Sequence, residues 1–300
     1  MSTAAILLPT QNAVFADLAK ALQLSFMELG WQCMWLGDKD HVREYANEID
    51  LGVVLTPFDY KDIGTLLPKA KKVLYQLEAL PWPTKIHLKR RKYWDWDKLE
   101  AQIVPNYDIV WDFDEGNIKE HWKWYGRSLN KPVLHCPVGY SSAFELQKKV
   151  SQRNIAMFIG SVSDHPKQTH RSRTLRGLSA KLGKRMQVIV GRYGDKAKQA
   201  AKNVTVNVNV HENIPIFESM RIVALLMSNR CFVVSEPSAY PGPFEHLNQY
   251  VVTDHENMAA EISYYLSCDW ERNRMADNAY NFVKEHYTMT QHLREVLKQL

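Results

Sequence analysis

Glu236 stands directly after the apolar run "CFVVS", and Glu245 follows nine positions later, across a segment holding Pro237, Pro241, Gly242 and Pro243. A carboxylate closing a strand that is buried on both faces has to emerge at the strand's mouth. The proline- and glycine-rich path between the two acids leaves the chain few conformers. Two carboxylates so placed can accept hydrogen bonds from sugar hydroxyls. Read alone, Glu245 also suits the first turn of a following helix, where its charge meets the positive end of the dipole.

Cations recur in the same half of the chain. Arg221 opens the amphipathic stretch "RIVALLMSN", and Arg171 and Arg173 lie in "HRSRTLRGL", soon after the apolar run "IAMFIGS". A guanidinium beside a helix start offers a planar fork suited to a phosphate, although each arginine by itself can equally be a solvated surface residue. Polar residues also end several apolar runs: Gly160-Ser161, Gly191-Arg192 and His211-Glu212-Asn213. Glycine after a strand lets backbone N–H groups approach an anion closely. Each such ending alone is an ordinary turn, but four polar strand ends in one half, Glu236 included, suggest a lined edge.

The first half offers different chemistry. "HLKRRKYWDWDK" (87–98) interleaves Arg90 and Arg91 with Tyr93, Trp94 and Trp96, and Trp82 lies just upstream in the same tryptophan-rich segment. Cations among aromatic rings suit a nucleic acid or an anionic membrane surface, and aromatic faces also stack on sugars. Glu78, at the end of "VLYQLE", is a candidate general base for an acceptor hydroxyl. His165 and His170 are wrongly spaced for one helical face and have no third ligand nearby in sequence.

These residues need a scaffold. The 300 residues are 45% apolar and 24% charged, with a net charge of +5 that mildly favours anionic partners. The four cysteines have no CxxC spacing, which fits reduced thiols and a cytoplasmic location. No apolar run reaches the ~18 residues of a membrane span, and the start lacks a basic leader.

Short apolar runs alternate with amphipathic segments throughout. Strands are expected at 4–9, 31–37, 50–57, 71–80, 107–113 and 131–139, with helices near 13–29, 40–47 and 118–127. The pattern restarts at 155–161, continues through strands at 186–194, 204–212, 231–236 and 250–254 with helices near 170–183, 217–228 and 256–267, and ends in closing helices from Glu271 onward. This alternation implies βαβ units and parallel sheets. Periodicity fails near 140–152, so two Rossmann-like α/β domains are expected, 1–145 and 146–300. Such domains bind ligands at the carboxyl ends of their strands, in a cleft.

The block running from "NVHENIPIFESMRIVALLMSNRCFVVSE" through "YVVTDHENMAAEISYYL" to "ERNRMADNAYNFVKEHYT" resembles the C-terminal half of GT-B-fold glycosyltransferases. It is most similar to the glycosyltransferase-like group that includes spore-maturation proteins. "VLYQLEAL" and "YDIVWDFDEGN" resemble the N-terminal half of such proteins more weakly. The resemblance implies a donor domain in which Arg171 or Arg173, together with Arg221, holds a diphosphate, with Gly160 and Ser161 forming its loop. Gly191 and Arg192 would line that donor site, and His211 and Asn213 would lie near the nucleotide. Glu236 and Glu245 would correspond to the paired acids of retaining members, although their spacing here is one position longer. Asp112-Phe113-Asp114 and Asp95-Trp96-Asp97 match the metal-binding DxD signature of glycosyltransferases of another fold, which the two-domain pattern disfavours.

The expected activity is transfer of a sugar from a nucleotide diphosphate-sugar (UDP- or GDP-linked) without a required metal. The acceptor would be a glycan, protein or nucleic acid bound near Trp82, Arg90, Arg91 and Trp94. A nucleotide-sugar epimerase, a DNA-modifying glycosyltransferase and a non-enzymatic nucleic-acid-binding protein are the alternatives.

Overall fold

The computed structural model describes residues 1–80, 82, 99–123, 130–148, 150–162 and 169–300. The chain forms two compact units, Met1–Val138 with Met289–Leu300, and Gly139–Thr288.

In the first unit, six parallel strands lie in the order β2-β1-β3-β4-β5-β6: β1 (Thr3–Leu7), β2 (Gln32–Leu36), β3 (Leu51–Val54), β4 (Lys71–Gln76), β5 (Ile109–Asp112) and β6 (Val133–His135). Helix α1 (Ala16–Glu28) connects β1 to β2. Its Leu18, Leu22 and Phe26 recur at four-residue spacing and are fully buried, each contributing roughly 1.5–3 kcal/mol of apolar burial. Val14, within the helix expected at 13–29, precedes the observed one and is exposed. Gly30, at φ +82°, ends the helix, with Trp31 N–H returning to the Phe26 carbonyl. Short helices α2 (Lys39–Tyr45) and α3 (Ile63–Leu66) and the π-type turn α4 (Asn117–Trp122) lie in other crossovers, and a π-type turn (Leu99–Ile103) with a 3-10 turn (Val104–Asn106) precedes β5.

The second unit repeats the plan with five parallel strands in the order β11-β10-β9-β7-β8: β7 (Arg153–Ile159), β8 (Met186–Ile189), β9 (Val204–Asn209), β10 (Val233–Ser235) and β11 (Val251–Val252). Alternate residues of β7 feed two apolar layers. Ala156 and Phe158 join α5 (His170–Leu182) and α8 (Met258–Tyr265), whereas Met157 and Ile159 join α6 (Gly194–Lys202) and α7 (Met220–Leu226, π-type). Helix α9 (Asp269–His286) contributes to both layers. This is the burial on both faces that near-continuous apolar strands require.

The unit boundary falls at 138/139, and the last helix, α10 (Met289–Leu297), packs with the first unit. There Thr290 Oγ1 donates to Glu28 Oε2 at 2.5 Å beside Ser25. The expectation of one closing set of helices in the second domain therefore divides after α9. Inside the second unit the two crossing points are pinned together, Tyr140 N–H donating to the Tyr287 carbonyl at 2.8 Å. All four cysteines are free, and no described helix is long and apolar enough to cross a membrane.

Candidate functional site

Both sheets run second-first-third-fourth-fifth in their own chain order, the flavodoxin-like arrangement. Such a sheet has its switch point between the first and third strands, at their carboxyl ends. In the second unit this point lies between β7 and β9, where Gly160-Ser161 and His211-Glu212 emerge. It is occupied by two arginines.

Arg171 reaches it from the first turn of α5. Thr169 caps that helix by accepting from Ser172 N–H, Asn213 Oδ1 accepts from His170 N–H, and the Glu212 carbonyl accepts from Arg171 N–H. The helix start is thus tied to the β9 loop, and its N–H groups are consumed by the protein. Arg171 is 3% exposed. Its Nε donates to the Val210 carbonyl at 2.8 Å and its Nη1 to the Ser161 carbonyl at 3.1 Å, so one guanidinium staples both strand ends. Nη1 also meets Glu212 at 2.7 Å, and Nη2 meets Glu218 Oε1 at 2.5 Å. Arg173, the alternative in the sequence, points to solvent.

Arg221 comes from the other side, at the start of α7. Nε donates to the Ile159 carbonyl at 3.0 Å, and Nη1 to Asn209 Oδ1 at 2.7 Å and to Glu218 Oε2. Glu218 therefore bridges the two guanidiniums, one oxygen to each. Both cations lie over the Phe158 ring, at 4.7 Å for Arg221 and 5.4 Å for Arg171. Nη2 of Arg221 makes no hydrogen bond among the described residues and sits against Gly160, where an added Cβ would lie 2.6 Å from it. Glycine at 160 is what lets that edge of the fork reach the loop.

Burial opposes the Glu218 charge, but Arg221 and Arg171 outweigh it and hold the carboxyl below its ordinary range. Burial pulls Arg221 down to about 10, so it remains cationic at neutral pH. Burial also lowers His211, whose Nε2 lies 3.1 Å from the Pro237 carbonyl and whose Nδ1 is buried without a partner among the described residues. With Nε2–H donating, Nδ1 is a neutral acceptor.

Glu236 does not emerge freely as its place in the sequence suggests. It is 4% exposed, one oxygen accepting from His211 N–H at 2.9 Å and the other 2.5 Å from His170 Nε2. The carboxylate is oriented at the strand mouth by partners that a ligand hydroxyl would have to displace or join. Glu245 is exposed in a turn, accepting from Asn248 Nδ2 and holding the N–H groups of residues 248 and 249 with its carbonyl. The next helix, α8, starts only at Met258, so Glu245 does not begin a helix. Gly191 and Arg192 lie in an exposed loop after the edge strand β8, outside the arginine network.

In the first unit Glu78 is exposed just beyond β4, its carbonyl accepting from Gln76 and Asn117. Trp82 is buried, and Arg90, Arg91 and Trp94, like the whole 87–98 segment and Asp95-Trp96-Asp97, lie outside the described residues. Asp112-Phe113-Asp114 is structural. Asp112 accepts from Trp122 Nε1 (2.7 Å), Asn117 Nδ2 (3.0 Å) and Asp114 N–H (3.0 Å), and burial pushes it up to about 8. Those partners occupy both oxygens that a cation would need.

Sequence reasoning passed over Glu218, Asn209 and Phe158. The first has a legible sign, a glutamate three residues before Arg221, and the second, with Thr205 and Asn207, makes up the polar alternate positions of β9 between its valines. Phe158 looks like any core residue.

Residues 171–298 match a family model described as glycosyl transferase-like, and the match begins at Arg171 itself. No curated protein sequence matches the chain. Among solved structures, HepE of Anabaena, captured with UDP-glucose, is 12% identical with both chains covered completely and a TM-score of 0.66. A glycosyltransferase from Rickettsia africae is 11% identical over 99% of this chain and 97% of that one, with a TM-score of 0.58. An α-glucosyltransferase bound to UDP and a 13-mer DNA is 10% identical over 99% of each chain, with a TM-score of 0.63. Together these findings define the class: an α/β protein with the GT-B glycosyltransferase fold, whose residues 171–298 are glycosyl transferase-like.

Proposed function

We propose that the chain transfers a sugar from a nucleotide diphosphate-sugar, UDP- or GDP-linked, to an acceptor hydroxyl, and that the second unit binds the donor. The observation that carries this reading is the Arg171–Glu218–Arg221 network at the β7/β9 switch point, with the unpaired Nη2 edge of Arg221 at Gly160. Cleaving the sugar–phosphate bond leaves negative charge on the departing diphosphate. A fixed cation in a dry site stabilises that charge without reorganising, a role that a divalent metal fills elsewhere. The reaction accordingly needs no metal in this proposal. Ser161 and Gly160 would contact the phosphates and Asn213 and His211 the nucleoside. Glu236 would orient sugar hydroxyls, with Glu245, Gly191 and Arg192 as outer contacts.

The acceptor side is assigned to the first unit, with Glu78 as base if the anomeric centre inverts, and with Trp82, Arg90, Arg91 and Trp94 as acceptor contacts. The likeness to HepE bound to UDP-glucose supports UDP as the nucleotide. The likeness to an α-glucosyltransferase bound to DNA favours, as a second reading, a nucleic acid as the acceptor. Membership of the spore-maturation-like group and a cytoplasmic location belong to the same proposal.

Thermal shifts with UDP, GDP and their sugars test the donor assignment. A ligand at 100 times its Kd stabilises by about 2.7 kcal/mol through mass action. Arg221→Ala is expected to abolish that shift and to lower turnover by about 10²–10³-fold, the cost of losing one preorganised charge-stabilising group. Activity in the presence of a chelator should be undiminished. A variant that still binds and turns over as the wild type does would remove the central assignment.

A further inference from the structure

Three metal-ligating side chains converge beside the arginine network without taking part in it. His170 opens α5, Glu236 follows β10 and His255 follows β11, and one ligand atom from each lies within 4.8 Å of the others. The His170 and His255 rings stand edge to face, 5.3 Å apart at 86°. His170 Nε2 is 2.5 Å from Glu236 Oε1. A buried Glu–His contact alone would be only a hydrogen bond. The second imidazole, brought from a different strand end to the same point, is what distinguishes the cluster.

We propose that His170, Glu236 and His255 bind a zinc ion, and that the ion inhibits the enzyme by taking Glu236 out of the donor site. Two imidazoles and a carboxylate suit zinc far better than magnesium, which prefers an all-oxygen shell. Bonds of ~2.0–2.1 Å in a tetrahedron place ligand atoms about 3.3 Å apart. Forming the site therefore needs the 2.5 Å His170–Glu236 contact to open by less than about 1 Å, and the half-exposed His255 ring to swing inward. Outer support is already in place. The remaining Glu236 oxygen accepts from His211 N–H, and Glu256 Oε1 lies 3.1 Å from His255 Nε2. The fourth position is left for water. The binding site stands on geometry alone, and only its inhibitory consequence rests on the sugar-transfer reading.

The test dialyses the metal-stripped full-length chain against zinc chloride and measures bound metal, with the visible absorption of bound cobalt(II) as a report on ligand geometry. One zinc per chain is expected, with affinity at least tenfold weaker in His255→Ala and in Glu236→Gln. His255 is exposed, so its replacement does not threaten the fold. Either variant binding as tightly as the wild type overturns the site. In the transfer assay, zinc should suppress the wild type reversibly and leave His255→Ala unaffected. Zinc that binds yet leaves transfer unchanged overturns the inhibition. If the chain transfers no sugar under any condition, the dialysis still decides the site.

Discussion

The two sheets share one strand order, yet their switch points could hardly differ more. Between β7 and β9 stand two buried guanidiniums and the carboxylate they share. Between β1 and β3 the chain continues into Leu8 and Pro9 on one side, and into Leu55, Thr56 and Pro57 on the other, with both leucines buried. The end of β1 is closed by its own neighbours, the Leu8 carbonyl accepting from Trp35 Nε1 at 3.0 Å. Topology supplies a crevice in each unit, but among the described residues only the second one carries buried cations suited to an anion. The first unit spends its buried polar groups elsewhere, on the Asp112–Asn117–Trp122 network at the end of β5. Through the Leu80 N–H and the Glu78 carbonyl, that network fixes the chain leaving β4. Fold alone therefore does not make a site; the side chains at the strand ends do.

If the charged switch point is a single network, Glu218→Gln should have the largest effect. It leaves two buried cations sharing one partner fewer, a loss of about 3–5 kcal/mol for a broken buried pair. The loss should be confined to the second unit. Of the nine tryptophans, Trp270 is the sole one after residue 138, so tryptophan fluorescence reports the first unit while circular dichroism reports both. Early melting by dichroism with an unchanged fluorescence transition is the expected result. Wild-type melting by both probes would show that the bridge is not what holds the arginines.

The corresponding cut in the first unit is Asn117→Ala. It strands the Leu80 N–H, an orphaned buried donor that costs about 1–3 kcal/mol, and removes one of the two donors to Asp112 Oδ1, which keeps the Asp114 N–H. Here the fluorescence transition should move first. The shift produced by a nucleotide diphosphate should keep its wild-type size, because the donor cradle is untouched. A lost ligand shift would break the division of labour between the two crevices.

The elements were legible because parallel strands buried on both faces read as apolar runs, and most expected strands overlap the observed ones closely. Helix α6 was not, since its buried face is Ala197, Ala200 and Ala201 between lysines and a glutamine, too small and too interrupted to give a periodic signal. Arg171 and Arg173 sit two residues apart in one helix, hence on different sides of it, and only packing against β9 decides which turns inward. Glu236 was readable from its position after an apolar strand. The histidines gathered near it were not, because His170 and His255 lie 85 positions apart in the chain and come together only through the order of the strands.

Titration should separate the two units most finely. Burial raises Asp112 from 3.8 to about 8, so the folded first unit holds a proton that the unfolded chain has released, and stability falls as pH rises toward 8. Two histidines of the same unit, His135 at the exposed end of β6 and the half-buried His292 of α10, act the other way. Desolvation lowers His135, and brings His292 to about 4, so their contribution grows with pH until it saturates about one pH unit above their ordinary 6.5. Between pH 7 and 8 the Asp112 slope, at most about 1.4 kcal/mol per pH unit, outweighs the fading histidine contribution. In the second unit Glu218 lies below its ordinary 4.5 and His211 below 6.5. Both stabilise fully above those values and lose their contribution only in acid, so this unit should be flat across the same window. Urea midpoints read by tryptophan fluorescence should decline from pH 7 to 8, and Asp112→Asn should remove the decline. A fluorescence midpoint that stays level or climbs would mean that the three donors around Asp112 keep it ionised, and that both units bury their acids charged.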